Sequence, residues 1–258
     1  MSESDRTELA SRDELKRRIT RLRLLPRLAR SVRKRYVRAV HGDDFFVTNY
    51  FGAKFLVRWG DFVPREISLK NFEQIQLQHC IDTIDRMKPD VFLDVGAHIG
   101  LYTCVLLKQT TIPRAILFEP NAPTAAHLRA NLLLNGLLNR VEVHECAVSN
   151  KAGQMSLETG PDSNSGQAHL AANGTGRQVR VVAIDDVVDL SGKTLAIKMD
   201  VERHEIEALA GMERLLTRNR GFVQIETLDT RAQVIELMKG YGYSMTLDFY
   251  WDLFFEKL

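Results

Sequence analysis

The sequence predicts an α/β fold: a mostly parallel sheet with helices on both faces, ending in an antiparallel hairpin. Three observations carry this expectation. Short apolar runs at residues 91–96, 115–119, 141–148, 195–201 and 222–227 alternate with segments of helical periodicity, as strands buried on both faces require. The first two runs each carry a carboxylate near the end, Asp94 and Glu119, and Asp94 leads into a glycine-bearing turn. Such an arrangement holds a nucleoside where a parallel sheet changes direction. The last two short runs, near residues 243–248 and 253–256, lie too close together for a helical crossover and pair antiparallel.

The elements follow in order. Leu15, Ile19, Leu22, Leu25 and Leu28 recur among arginines over residues 12–38, which predicts a basic helical arm bent or divided at Pro26. Phe46, Val47, Tyr50, Phe55, Val57 and Trp59 alternate loosely around Gly52 and predict a hairpin over 45–59. Leu69, Phe72, Ile75, Ile81 and Ile84 mark a helix over 68–87. Strand 91–96 leads to helix 100–108, and strand 115–119 to helix 123–135, which has Asn121 as its cap, Pro123 in its first turn and Asn135-Gly136 at its stop. After strand 141–148, residues 149–180 interrupt the alternation with Gly, Ser and Asn, and are expected to form an insertion with a hairpin at 155–158 and 179–184. Ser163, Asn164, Ser165, Gly166 and Gln167 at its centre suit either an irregular surface or a substrate lid. Strand 195–201, helix 202–217, strand 222–227 and helix 230–240 complete the alternation. Three regions are therefore expected: an arm over 1–40, a hairpin and helix over 41–88, and a catalytic domain over 89–258.

Charge is unevenly spread. Residues 1–40 contain thirteen Lys/Arg and five Asp/Glu, a balance of +8 within a chain of net charge +2, so the remainder carries −6. No specific nucleic-acid binding by the acidic body is expected. The arm either docks on the body or a second subunit, the preferred reading, or adheres to an anionic membrane surface. Cys80, Cys104 and Cys146 lack metal or redox spacing and read as buried thiols. No apolar stretch is long enough to cross a bilayer, and basic residues interrupt the N-terminal segment, so a cytoplasmic location is expected, with peripheral membrane attachment through the arm as an option.

The turn after the first strand decides between cofactors. Gly96 and Gly100 are spaced G-x-x-x-G, and His98 stands where the dinucleotide fingerprint needs its middle glycine. A side chain there crowds a pyrophosphate, and no Gly-Lys-Ser/Thr follows to make a P-loop. A nucleoside cofactor without phosphate stays compatible. Asp94 would then accept from a cationic amino group, directly or through water, and Glu119 from both ribose hydroxyls. The structural alternatives are that Asp94 caps the turn and that Glu119 is an exposed strand end.

The run Asp94-Val95-Gly96-Ala97-His98-Ile99-Gly100-Leu101-Tyr102-Thr103 resembles the first motif of S-adenosylmethionine-dependent methyltransferases of the FkbM type. Similar in order and spacing are Phe72-Glu73, Phe118-Glu119-Pro120, Asn131…Asn135-Gly136, Ala147-Val148-Ser149, Ser165-Gly166, Ile184-Asp185-Asp186, Lys198-Met199-Asp200-Val201-Glu202 and Ile225-Glu226. The resemblance covers about two thirds of the chain. It implies a Rossmann-like class I methyltransferase fold with a seven-stranded sheet whose last strand is antiparallel. It also implies S-adenosylmethionine as cofactor, held by Glu73, Asp94, Gly96, Ala97, His98, Gly100, Glu119, Pro120, Ala147 and Asp200, with Ser165 and Glu226 on the substrate side. One departure stands out: Arg203 occupies a position where the family usually has Gly. An arginine with an ordinary backbone preference would tighten or re-aim that loop.

For a hydroxyl acceptor, alignment with the donor does most of the work and a nearby base adds to it. Asp200 is the first candidate for that base, with Glu202 or His204 as substitutes; the competing reading makes Asp200 and Glu202 caps of helix 202–217. Lys198, inside an apolar strand, either pairs with a carboxylate near the pocket or snorkels at an edge. The acids around Asp200 would suit Mg²⁺, but no spacing is diagnostic and no metal is expected. The activity expected is O-methylation of a sugar, glycan precursor or secondary metabolite. The alternatives are N-methylation of protein or nucleic acid, and a catalytically degenerate scaffold acting through its basic arm.

Overall fold

The computed structural model describes residues 26–159, 166, 168–171 and 174–258. Its centre is a seven-stranded sheet. The strands that enter it in chain order are β3 (Val91–Val95), β4 (Ala115–Phe118), β5 (Val141–His144), β10 (Thr194–Met199), β11 (Arg220–Glu226), β12 (Ser244–Phe249) and β13 (Asp252–Lys257). Their spatial order is β12-β13-β11-β10-β3-β4-β5, with β13 antiparallel to both neighbours and every other pairing parallel. The chain therefore runs outward from β3 through β4 to β5, returns to β10 on the other side of β3, and continues outward. The crevice at that reversal is where such sheets bind ligands.

Alternation along the strands fills both faces. Phe92, Ala196, Phe222 and Phe254 point to one side, where α3 (Gln74–Met87), α4 (Leu101–Gln109) and α5 (Ala122–Leu134) pack. Leu93, Val95, Ile197, Met199, Val223 and Ile225 point to the other, covered by α7 (Glu205–Ala210), α8 (Glu213–Arg218) and α9 (Arg231–Gly240). β3 and β4 are buried at every position, as strands sandwiched between helices must be. The hairpin β1 (Phe46–Tyr50) and β2 (Ala53–Val57), turning at Phe51-Gly52, contributes Tyr50, Phe55 and Val57 to the first of these cores. Cys80, Cys104 and Cys146 are free and buried.

Four expected elements differ. The run 141–148 is two strands: β5 stays in the main sheet, whereas β6 (Ala147–Val148) pairs with β9 (Arg177–Val182) in a separate sheet of order β6-β9-β7-β8. The alternation set by Val141 and Val143 shifts phase at Glu145-Cys146, where the hydrogen-bonding partner changes, a break too small to separate two strands in a run read as one. In that second sheet β7 (Gly153–Glu158) pairs antiparallel with both β9 and β8 (His169–Ala171), and residues 184–187 form the short helix α6 (Ile184–Val187) instead of extending the strand. The helix expected over 68–87 is preceded by α2 (Phe62–Ser68) and begins only at Gln74, because Glu73 takes a left-handed conformation, φ +47°. The helix expected over 202–217 is split into α7 and α8 at Gly211, where a Cβ would lie 1.9 Å from the Ser149 carbonyl oxygen.

The arm is described from α1 (Pro26–His41) onward; Leu15 to Leu25 lie outside the described residues. α1 docks on α2: Arg30 pairs with Glu66 at 2.7 Å, Arg33 Nε donates to the Ser68 carbonyl at 2.8 Å, Val37 is buried and His41 stacks on Phe46. A stripe of α1 beside the docked face exposes Val32, Tyr36 and Val40. No helix among the described residues is long and apolar enough to cross a membrane.

Candidate active site

The turn between β3 and α4 is shaped by what it must clear. Gly96 lies at φ +85°, and a Cβ there would come within 1.8 Å of the Asp200 carbonyl oxygen, so only glycine lets the two strand ends approach this closely. At Gly100, φ +81°, a Cβ would press on Leu128 Cδ1 at 2.4 Å. Between them His98 is left-handed, φ +49°. Its backbone N–H donates to Glu119 Oε2 at 2.9 Å, while Asn121 N–H donates to Glu119 Oε1 at 2.8 Å. Glu119 is thus strapped between two loops and buried, not an exposed strand end. Asp94 is buried too, and accepts the Thr103 hydroxyl at 2.6 Å from the first turn of α4. Burial raises the pKa of Glu119 to about 7 against its two amide bonds, and that of Asp94 to about 6 against the Thr103 bond.

These strand ends open into a cavity of about 580 Å³, within the usual range for small-molecule sites. Seven carboxylates line it: Glu73, Asp94, Glu119, Asp200, Glu202, Glu226 and Asp252. Among the described residues Lys198 is the single lysine that lines the cavity, and no arginine does. Its Nζ lies 3.4 Å from Asp200 Oδ2, 3.6 Å from Glu226 Oε2 and 5.3 Å from the centre of the Tyr102 ring. None of these contacts is aligned as a hydrogen bond, so the attraction is Coulombic. Burial opposes the charge on Lys198, but the surrounding carboxylates outweigh it and keep the ammonium protonated. Lys198 is therefore an interior ion-pair partner and does not snorkel at an edge.

The remaining acids feel each other. Burial, then repulsion from Asp200, raises Glu202 to about 7 and pushes Glu226 up as well. Burial raises Glu73 to about 7, with Lys198 opposing. A buried polar network fixes Glu73: Tyr102 Oη donates to it at 2.5 Å, and Gln224 Nε2 lies 2.9 Å from Tyr102 Oη and 2.6 Å from Asp252 Oδ1. Gln76 Nε2 reaches Asp252 Oδ2 at 3.2 Å, which closes the network behind the cavity.

Of the residues singled out in the sequence, Glu73, Asp94, Gly96, Ala97, His98, Glu119, Pro120, Ala147, Asp200, Glu202 and Glu226 all line this cavity. Gly100 lies behind it, as the N-terminal flank of α4. Ser165 lies outside the described residues, although its neighbour Gly166 lines the cavity. His204 is turned away: Nε2 is 2.9 Å from Ser149 Oγ and Nδ1 is 3.7 Å from Glu207. Asp200 and Glu202 do not cap α7, whose flanking residue is His204; Glu205 instead accepts Arg203 N–H at 2.8 Å and the Thr230 hydroxyl at 2.8 Å. Arg203 does not follow an ordinary backbone preference. Its φ is +72°, after +48° at Glu202, so it adopts the conformation a glycine would.

Sequence reasoning did not assign Tyr102, Gln76, Gln224 or Asp252 to the site, nor Phe62, Leu228, Tyr250 and Trp251 on its walls. A signal existed for two of them: Gln224 and Asp252 are polar residues set among apolar strand neighbours. Among the described residues no group of three or more His, Cys, Asp or Glu is arranged to hold a metal ion.

The family model of the methyltransferase FkbM domain matches residues 94–245, more than half of the chain. A hexuronic acid methyltransferase of Haloferax volcanii is 31% identical over 140 residues, 53% of this chain and 55% of that protein, so the chain spans about half the length of this relative. The 31-O-demethyl-FK506 methyltransferase FkbM of Streptomyces tacrolimicus is 27% identical over 72% of this chain and 83% of its own length. Among solved structures, methyltransferase FkbM from Methylobacillus flagellatus KT superposes with a TM-score of 0.48 and 19% identity, covering 75% of this chain and 52% of that one.

Proposed function

Because the chain belongs to the FkbM methyltransferase family, we propose that it takes S-adenosylmethionine as donor and methylates a hydroxyl of a sugar, glycan precursor or secondary metabolite. The observation that carries the cofactor is the pair of buried acids at the ends of adjacent strands. Each Glu119 oxygen accepts one backbone N–H and keeps lone-pair capacity for one ribose hydroxyl. Asp94, with one oxygen engaged by Thr103, has the other available for a cationic amino group. The charge balance of the cavity points the same way. Seven carboxylates around one paired lysine favour a sulfonium and an ammonium and repel a pyrophosphate.

S-adenosylmethionine supplies a methyl group on a positively charged sulfur. The protein's share is alignment and proton removal. Asp200 and Glu202 stand at the end of β10 beside Glu226 of β11, where the acceptor meets the donor in a sheet of this topology. Asp200 is engaged by Lys198 and serves to orient the acceptor hydroxyl. Glu202, raised to about 7, is matched to accept its proton near neutral pH. O-methylation draws support from the relatives, one named for a hexuronic acid and one for 31-O-demethyl-FK506.

Titration calorimetry with S-adenosylhomocysteine tests the donor site. Glu119→Ala and Asp94→Ala should each weaken binding about ten- to a hundredfold, the value of charge-assisted hydrogen bonds worth about 1.5–3 kcal/mol. Unaltered affinity in both variants would refute the assignment.

A further inference from the structure

A second groove lies beside the cavity, and Phe62 lines both. Arg30, Lys34 and Arg38 of α1 form one side of it, and Trp59 and Arg65 stand opposite. Among the described residues its only carboxylate is Glu66, which is buried and already taken by Arg30 at 2.7 Å and Arg65 at 3.5 Å. Lys34 and Arg38 are exposed and make no ion pair among the described residues. The Arg65 guanidinium lies 5.3 Å from the Phe62 ring and 6.0 Å from Trp59, held over aromatic faces at the rim. Four cations against one carboxylate leave the groove strongly positive. Across Phe62, the cavity has the opposite charge.

We propose that this groove binds a phosphate ester and holds the phosphate or diphosphate of the acceptor while its hydroxyl enters the acidic cavity. The acids of the cavity outnumber its lysine and disfavour an anion even when partly protonated, so charge on the acceptor is better read outside the cavity. Three guanidiniums offer paired donors suited to phosphate oxygens, and Lys34 adds a mobile point charge. A soluble phosphate ester and a lipid headgroup present the same chemistry. The exposed Val32, Tyr36 and Val40, one helical turn apart on α1, would serve the second source. The tie to the acceptor rests on the methyl-transfer reading; the anion site does not.

The test titrates the full chain with sodium pyrophosphate at low ionic strength and sediments it with phosphatidylglycerol or phosphatidylcholine vesicles. Lys34→Gln/Arg38→Gln alters two exposed side chains that do not line the cavity. Saturable pyrophosphate binding is expected, weakened at least tenfold in the double variant, with S-adenosylhomocysteine affinity unchanged. Phosphatidylglycerol sedimentation that the double variant loses assigns the site to a lipid headgroup; pyrophosphate binding without sedimentation assigns it to a soluble ester. Both outcomes support the groove. Neither ligand binding, or binding that the double variant leaves intact, overturns it. Pyrophosphate retained by a chain that does not bind S-adenosylhomocysteine would sink the methyl-transfer reading and leave the anion site standing.

Discussion

Glu202 and Asp200 sit two residues apart with different partners, and that separates their roles. Asp200 is held at 3.4 Å by Lys198, whereas Glu202 faces the cavity with burial and Asp200 raising it to about 7. A base must be deprotonated to act, so turnover should climb as pH rises through about 7 and level off above it. Glu202→Gln should remove that limb and lower kcat about 10²- to 10⁴-fold, with S-adenosylhomocysteine affinity little changed. A pH profile identical in the variant would exclude Glu202 as the base. The carboxylates at strand ends were legible in the sequence because the end of an apolar run locates them. The partners of Gln224 were not: Asp252 and Tyr102 are 28 and 122 residues away, and only the strand order brings them together.

At the scale of elements, the loop from β10 to α7 carries two consecutive left-handed residues, Glu202 and Arg203. The Arg203 side chain is exposed and its pairing with Asp229, at 3.7 Å, contributes little. The backbone conformation is therefore the main cost at this position. Arg203→Gly and Arg203→Ala both lose the ion pair, and glycine alone takes φ +72° without strain, so the glycine variant should be more stable by about 1 kcal/mol in urea denaturation. Equal stability of the two would show that the loop relaxes out of this conformation. Strand existence was readable from apolar runs and helix existence from periodicity. The breaks at Glu145-Cys146 and at Gly211 were missed, because each is completed by a contact with distant backbone: β6 joins β9, and Gly211 meets Ser149.

For the whole molecule, the acidic cavity makes folding depend on pH in an unusual direction. Glu73, Glu119 and Glu202 are raised to about 7 and Asp94 to about 6. The folded chain then binds more protons than the unfolded chain, so stability is lost as pH rises through these values. His79, His98 and His204 are lowered by burial and act in the opposite sense below about pH 6.5. Above that the acids titrate without this opposition. The melting temperature without cofactor should fall between pH 6.5 and 8, and Glu73→Gln should reduce the fall. A melting temperature that rises over this range would contradict the charge balance of the site. The seven strands and the antiparallel last strand were readable through the terminal hairpin and the family resemblance, whereas the spatial order of the strands was not. In the second, four-stranded sheet the antiparallel pairing of β7 with β9 was readable as a hairpin, whereas β6 and β8, of two and three residues, were too short to show in the pattern.

Glu119 has a consequence that reaches beyond affinity. One carboxylate clasps the amides of His98 and Asn121, from the loops after β3 and after β4, before any ligand arrives. Ligand recognition and loop order thus share a single side chain and are thermodynamically linked: whatever strengthens one protects the other. Replacing Glu119 by alanine unfastens both loops as it removes the hydroxyl acceptor, so protease sensitivity near residues 96–100 and 120–122 should rise together with the dissociation constant.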